Sequence, residues 1–328
     1  MPASIQSIYT GWTELASTTY RKMIGTTPAD NVSRHNALMR KMYTGGRMRK
    51  EDGGLSIVAP LEYASNSTYQ RYSGFDPLNI NAVDVLTAAE YPWRQVAVNV
   101  AASGLEIRSN MGESRIINFT KSKVRNAINS FKNGMSADLY SDGTAANQIN
   151  GLQAVISDTG LGTIGQINAT TFPFWRNVVQ SAAAPLQGGG AVTISPSTIE
   201  SLMLPLYIRL TRGEDQPDII VMADDLFAVF EQSQTSLKRY TDETSVTAGM
   251  VSLKYKRADV FFDSSGGIPA SRAYFINTNY LELVTHSAAD MTVMDELRSV
   301  NQDAIVIPVL WQGNIACSNR SLQGVLRP

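Results

Sequence analysis

Six apolar residues, Ile117, Val124, Ile128, Phe131, Met135 and Leu139, recur at spacings of 7, 4, 3, 4 and 4. With about 3.6 residues per turn, those spacings put all six on one face, which predicts a long helix over about 113–140. At 1.5 Å per residue the helix spans about 42 Å. Gly134 lowers helix propensity without ending the helix, and Asp142-Gly143 stops it. Lys121, Lys123, Arg125 and Lys132 occupy much of its remaining surface. Upstream the period is two. Val96, Val98 and Val100 alternate with Ala97 and Asn99, a strand signal. Leu55–Tyr63 also reads as a strand, but Pro60 lacks an N–H for a ladder and confines it to an edge or a projecting ribbon. Residues 64–90 between them are polar, with little apolar mass. The pattern predicts a long hairpin without a core of its own, a kind of loop that usually has a function or a partner.

Residues 1–50 show short helical stretches without a strong apolar face and end in Gly45-Gly46, as an arm would. After the long helix, residues 143–190 are rich in Gly, Thr, Asn and Ala around an aromatic knot, Phe172-Pro173-Phe174-Trp175. Gly188-Gly189-Gly190 is a flexible break. Ser195-Pro196 suits a helix start, because serine caps and proline fits the first turn. Asp218–Met222 reads as a buried strand followed by a helix from about Asp224, and 258–262, 273–276, 281–284 and 304–311 are further strands. Turn clusters such as Ser264-Ser265-Gly266-Gly267 separate them. With no repeat and no regular βαβ alternation, the class is α+β.

Charge changes this picture at one place. The whole chain of 328 residues is near neutral, at −1, with 43% hydrophobic and only 17% charged residues. A typical soluble domain is about 25% charged, so much of this surface is neutral or hidden against other chains. Residues 1–50 carry eight Lys and Arg against Glu14 and Asp30, a local balance of +6. A basic arm on a mildly acidic body predicts contact with nucleic acid or with a neighbour's acidic face; a solvated basic helix is the plainer alternative. Arg40, Lys41, Arg47, Arg49 and Lys50 are the candidates. Cys317 is the single cysteine, which excludes an internal disulfide and fits a reducing compartment. The first twenty residues lack the basic start and apolar segment of a signal peptide. No apolar stretch approaches the ~20 residues of a membrane helix.

Catalytic motifs are weak. Gly160-Leu-Gly162-Thr-Ile-Gly165 matches the dinucleotide-binding pattern in form, but the residues that follow make a poor helix and offer no ribose-binding acid. A glycine-rich loop is the better reading. His35 and His286 stand far apart with no metal-ligand spacing, and Asp224-Asp225, Asp242-Glu243 and Asp295-Glu296 suit caps and turns. The expectation is no catalytic residue, no metal and no cofactor.

The order of parts (arm, long two-stranded loop, long helix, mixed body) resembles the major capsid proteins of tailed bacteriophages, the HK97-like fold. The resemblance is carried by Pro60-Leu-Glu-Tyr63 with Tyr72-Ser-Gly-Phe-Asp76, and by Tyr91-Pro-Trp-Arg-Gln95 running into Ser103-Gly-Leu-Glu-Ile107. It continues through Leu139-Tyr-Ser-Asp-Gly143 with Gly151-Leu-Gln153, Phe174-Trp-Arg-Asn177, Asp218–Met222, and Tyr274-Phe-Ile-Asn-Thr278 with Tyr280-Leu281. It spans about residues 55–325. The resemblance implies an N-arm (1–50), an E-loop (51–100), and a P domain with the spine helix (101–150). It further implies a mainly A-domain region with P segments (151–300) and a C-terminal strand segment returning to the body (301–328). It implies self-assembly into hexamers and pentamers of an icosahedral phage head around double-stranded DNA, in a virion assembled in the host bacterial cytoplasm. Scaffolding protein, portal and a cement or decoration protein are the implied partners, and no membrane is involved. An α+β enzyme or an encapsulin-like compartment shell is the alternative. Tyr63, Tyr69, Tyr72, Phe75 and Trp93 are expected to anchor the loop on a neighbour, since rings bury large area at low entropic cost; Trp93 packing at the loop's own base is the simpler possibility. No lysine lies between Lys50 and Lys121, so the loop lacks the amine for the covalent cross-link some relatives form.

Overall fold

The computed structural model describes residues 12, 14–19, 37–81, 84–110, 113–234, 253–263, 267–295, 297–298 and 302–328. Along the chain come α1 (Ala37–Thr44), β1 (Met48–Glu51), β2 (Ser56–Glu62), β3 (Leu86–Pro92), β4 (Arg94–Ser103), α2 (Gly104–Ser109), α3 (Glu113–Asp138) and α4 (Leu152–Val155). The hairpin β5 (Thr163–Ile164) and β6 (Ile167–Asn168) follows, then β7 (Val178–Ser181), α5 (Ile199–Leu210), β8 (Ile219–Met222) and α6 (Asp224–Ser233). Next are β9 (Leu253–Tyr255), β10 (Ala258–Phe262), β11 (Ala273–Ile276) and β12 (Leu281–His286). The chain ends with β13 (Thr292–Val293), β14 (Leu297–Arg298), β15 (Ala304–Cys317) and β16 (Gly324–Arg327).

These strands form two six-stranded sheets and two separate hairpins. In the first sheet β15 is the axis. β4 runs antiparallel along one edge of it, from Ser103 opposite Ala304 to Arg94 opposite Gly313. β14, β13 and β12 pair in turn along the other edge, and β1 adds to β12 in parallel. The long helix lies against this sheet. Val124, Ile128, Phe131, Met135 and Leu139 are buried in one cluster with Val100, Ala102, Ile305, Ile307 and Val309. Burying five such side chains contributes about 8–15 kcal/mol before chain entropy is counted. α2 turns the chain from β4 toward α3 through a capping box. The Ser103 hydroxyl accepts from the Glu106 N–H, and the Glu106 carboxylate accepts from the Ser103 N–H.

The second sheet has the order β7-β16-β11-β8-β10-β9, with β7/β16 and β8/β10 parallel and the rest antiparallel. Its four-residue strands β8 and β11 are buried throughout, as strands covered on both faces must be. Leu202, Leu206 and Leu210 of α5 and Leu226 and Phe230 of α6 form a second cluster with Ile220, Met222, Val260 and Phe275.

Four expectations need correcting. The strand at Val96–Val100 is not the return strand of the hairpin: that role falls to β3, and β4 pairs with β15 instead. Alternation identifies a strand but not its partner. The stretch before the hairpin is more than an arm, because Trp12, Ala16, Leu38, Met39 and Met42 are buried in the first core and β1 is a sheet member. The helix expected from Ser195 starts at Ile199, since the Ser195 and Thr198 hydroxyls bond locally and hold the chain in a turn first. The strand expected over 304–311 runs on to Cys317. Arg21, Lys22, Arg34, His35, Asp242-Glu243, Ser264-Ser265-Gly266 and Glu296 lie outside the described residues.

Candidate assembly surface

The hairpin β2/β3 pairs from Ser56 opposite Pro92 to Glu62 opposite Leu86 and belongs to neither large sheet. Its base is docked on the body. Ile57, Ala59, Leu61, Ala89 and Tyr91 bury against Ile167, Ala169, Trp175, Val284 and Ala316. Polar groups fix that dock at several points. The Tyr91 phenol donates to the Cys317 carbonyl at 2.8 Å, the Glu90 N–H to the Gly165 carbonyl at 3.0 Å, and the Asn314 amide to the Pro92 carbonyl at 2.8 Å. Burial raises the pKa of the Tyr91 phenol and pushes the Cys317 thiol up to about 12, so both remain neutral structural groups.

Beneath the dock sits Arg320, fully buried. Its guanidinium donates to the carbonyls of Val155 (2.5 Å), Leu161 (3.1 Å) and Trp175 (3.5 Å) and to the Ser157 hydroxyl (3.0 Å). Burial lowers its pKa, and the ring of acceptors compensates the lost hydration. The glycine-rich Gly160–Gly165 segment leads into β5 and the turn to β6, not into a nucleotide-binding helix. Gly165 has φ +58°, and a Cβ there would stand 2.7 Å from the Ala89 Cβ, so its glycine serves close approach to β3.

Beyond the base, the hairpin tip bonds to itself. Gln70 donates to the Pro77 carbonyl and accepts from the Asn79 N–H, while Ser73 and Asp76 exchange bonds. The tip thus has a shape of its own although nothing among the described residues covers its apolar groups. Tyr69, Tyr72 and Phe75 are 82%, 65% and 108% exposed, and Leu78 and Ile80 are exposed beside them. The other two candidate anchors have partners inside the chain. Tyr63 stacks at 5.4 Å on Phe174 and donates to the Asp84 carbonyl. Trp93 donates to the Gly54 carbonyl and meets the edge of His286 at 5.5 Å. That leaves Tyr69, Tyr72 and Phe75 as the free aromatic set.

The basic candidates are largely engaged by the body. Lys41 pairs with Asp259 at 2.6 Å, Lys50 with Asp290 at 2.6 Å, and Arg49 with Glu51 and Glu282. Arg47 donates to the Asn279 side chain, and Arg40 also has a partner in the chain. Sequence reasoning missed the buried pins Arg320, Asn314 and Gln323, whose amide exchanges two bonds with the backbone of Asn277. A buried arginine bonded to carbonyls leaves no pattern in a single sequence. Among the described residues no group of three or more His, Cys, Asp or Glu could hold a metal, and no helix is long and apolar enough to cross a membrane.

No family model matches the chain, and no curated protein matches it in sequence. Solved structures do. A chain of the cyanophage A-1(L) capsid asymmetric unit superposes with a TM-score of 0.61 at 15% identity, covering 86% of this chain and 90% of that one. The fold is HK97-like. A chain from the capsid of a native GTA particle gives 0.58 at 11% identity, with 86% and 88% covered. The holo-SrpI encapsulin complex from Synechococcus elongatus gives 0.52 at 11% identity, with 87% and 86% covered. In the terms of this fold, α3 is the spine helix and β2/β3 the E-loop.

Proposed function

We propose that this chain is the shell-forming subunit of a tailed phage head, with no catalytic role. The observation that carries the reading is the E-loop: an ordered hairpin, docked at its base, whose tip presents five large apolar side chains to solvent. A monomer gains nothing from such a tip, whereas a neighbouring copy that covers it removes that area from water. The fold shared with a cyanophage capsid chain and a GTA-particle capsid chain supports the same reading. Hexamers and pentamers around double-stranded DNA are the proposed assembly, formed in the bacterial cytoplasm with a scaffolding protein, a portal and a cement or decoration protein as partners.

Interfaces of roughly 2,000 Å² or more fit permanent association of this kind. With one buried cysteine and no E-loop lysine, the shell is held by buried area and backbone pairing, summed over several interfaces per subunit. Size-exclusion chromatography with negative-stain microscopy of the purified chain tests the reading. Capsomers or closed shells are expected; a compact monomer or dimer would overturn it and favour an enzyme. The encapsulin likeness supports a second reading, a compartment shell. Particles from the native host that carry protein cargo and no DNA would select it.

A further inference from the structure

Between its two terminal carboxylates α3 carries charges of one sign only. The 26-residue helix has Glu113 at its first position and Asp138 at its last, with no carboxylate between them. Lys123 is committed, paired with Glu106 at 3.1 Å. Lys121 and Arg125 are exposed and Lys132 is half-exposed, and none of the three has an ion-pair partner among the described residues. The cations of the preceding segment, by contrast, are matched to acids of the body at Lys41, Arg49 and Lys50.

At about 100° per residue, Lys121, Arg125 and Lys132 fall within about 40° of one another around the axis and extend along about 17 Å of it. Asn118 and Asn129 lie beside this stripe, exposed and with no side-chain hydrogen-bond partner among the described residues. A single stripe of cations and amides with no acid is what a polyanionic backbone requires. It is not the arrangement of a solvated helix, where acids and bases intersperse. We propose that this flank of α3 binds the phosphates of double-stranded DNA without reading sequence, Lys121, Arg125 and Lys132 neutralising charge and Asn118 and Asn129 donating hydrogen bonds. One strand of B-DNA carries a phosphate about every 3.4 Å along the axis, so a 17 Å stripe meets about five. The proposal leans on the shell reading for which DNA is at hand, the packaged genome.

Fluorescence anisotropy of unassembled subunits with a labelled duplex of about 30 base pairs, across a salt series, tests it. Each lost phosphate contact lowers the slope of log K against log salt by about 0.9. The K121Q/R125Q/K132Q variant is therefore expected to lose about 2.7 from that slope. R71Q/K254Q/R257Q removes the same charge from exposed positions away from α3, one in the hairpin tip and two at the β9/β10 turn, and is expected to leave the slope unchanged. An unchanged slope in the α3 variant, or equal losses in both variants, overturns the proposal. Melting curves of both proteins confirm folding. Negative-stain particles formed by the α3 variant keep the two readings apart: shells with an unchanged slope would sink the binding surface alone, and wild-type protein that forms no particles would sink the shell reading.

Discussion

Substituting Gly165 by alanine measures how tightly the E-loop is docked. A Cβ at this position stands 2.7 Å from the Ala89 Cβ, 3.1 Å from Tyr91 Cζ and 3.2 Å from its hydroxyl, all three on β3. The backbone φ of +58° adds a steric cost of roughly 1–2 kcal/mol for any L side chain. The clash can be relieved only by moving β3 off its seat, and overpacking of this kind costs roughly 1–3 kcal/mol. The sum is about 2–5 kcal/mol. Gly213 separates the two contributions: its φ is +62°, but nothing lies within 4 Å of a Cβ built there. Urea unfolding of unassembled subunits, followed by tryptophan fluorescence, reports the dock directly because Trp175 sits in the same cluster. Gly165→Ala is expected to be less stable than Gly213→Ala by about 1–3 kcal/mol, with faster proteolysis in the loop. Equal losses would refute the idea that close approach to β3 is what position 165 requires.

Arg320→Met strands three carbonyls and a hydroxyl in a dry site, and a loss of about 3–5 kcal/mol in urea unfolding is expected; a loss below 1 kcal/mol would show that water replaces the guanidinium. The bond from the Ser103 N–H, then Lys123, lowers the pKa of Glu106 below its ordinary 4.5. The stability it contributes is therefore present above about pH 4.5 and is lost as pH falls through the lowered value. Glu106→Gln should melt below wild type at pH 7, with the gap closing in acid, and a pH-independent gap would contradict this. Cys317 should resist a thiol reagent at pH 8 in the native protein and react at once in denaturant, since burial holds its thiol neutral; rapid native labelling would contradict that. Replacing Tyr69, Tyr72 and Phe75 together with serine should leave the melting temperature unchanged and abolish particles in negative stain. Normal particles would remove the tip from the assembly contacts.

The long helix was legible because its apolar stripe repeats over about six turns, a signal that local noise does not erase. β8 was legible because four consecutive buried apolar residues have few alternatives. β3 was missed for the opposite reason: of its seven residues only Ala89 and Tyr91 are buried, and alanine adds little to any hydrophobic pattern. The end of β15 was missed because Gln312-Gly313-Asn314 looks like a turn. Tertiary packing overrides that appearance: a Cβ at Gly313 would sit 2.4 Å from the Val284 carbonyl, and the Asn314 amide is satisfied by Asn150 and Pro92. The basic residues before the loop were visible as charge, but their partners were not. Lys41 finds Asp259 at a separation of 218 residues, and only the fold sets that distance. The aromatic residues of the hairpin were legible as a group, yet alternation did not reveal that Tyr63 and Trp93 pack at the base while Tyr69, Tyr72 and Phe75 remain free.

Only Trp93 separates the last residue of β3 from the first of β4. The return strand of the hairpin therefore continues straight into the ten-residue ladder on β15. Tension applied to the loop along this strand reaches β4 in shear. Hydrogen bonds perpendicular to the strand then resist together, whereas a sideways pull would unzip them one pair at a time. A pull on the hairpin gives way first at the small apolar seat around Tyr91, and the ten-residue ladder behind it holds.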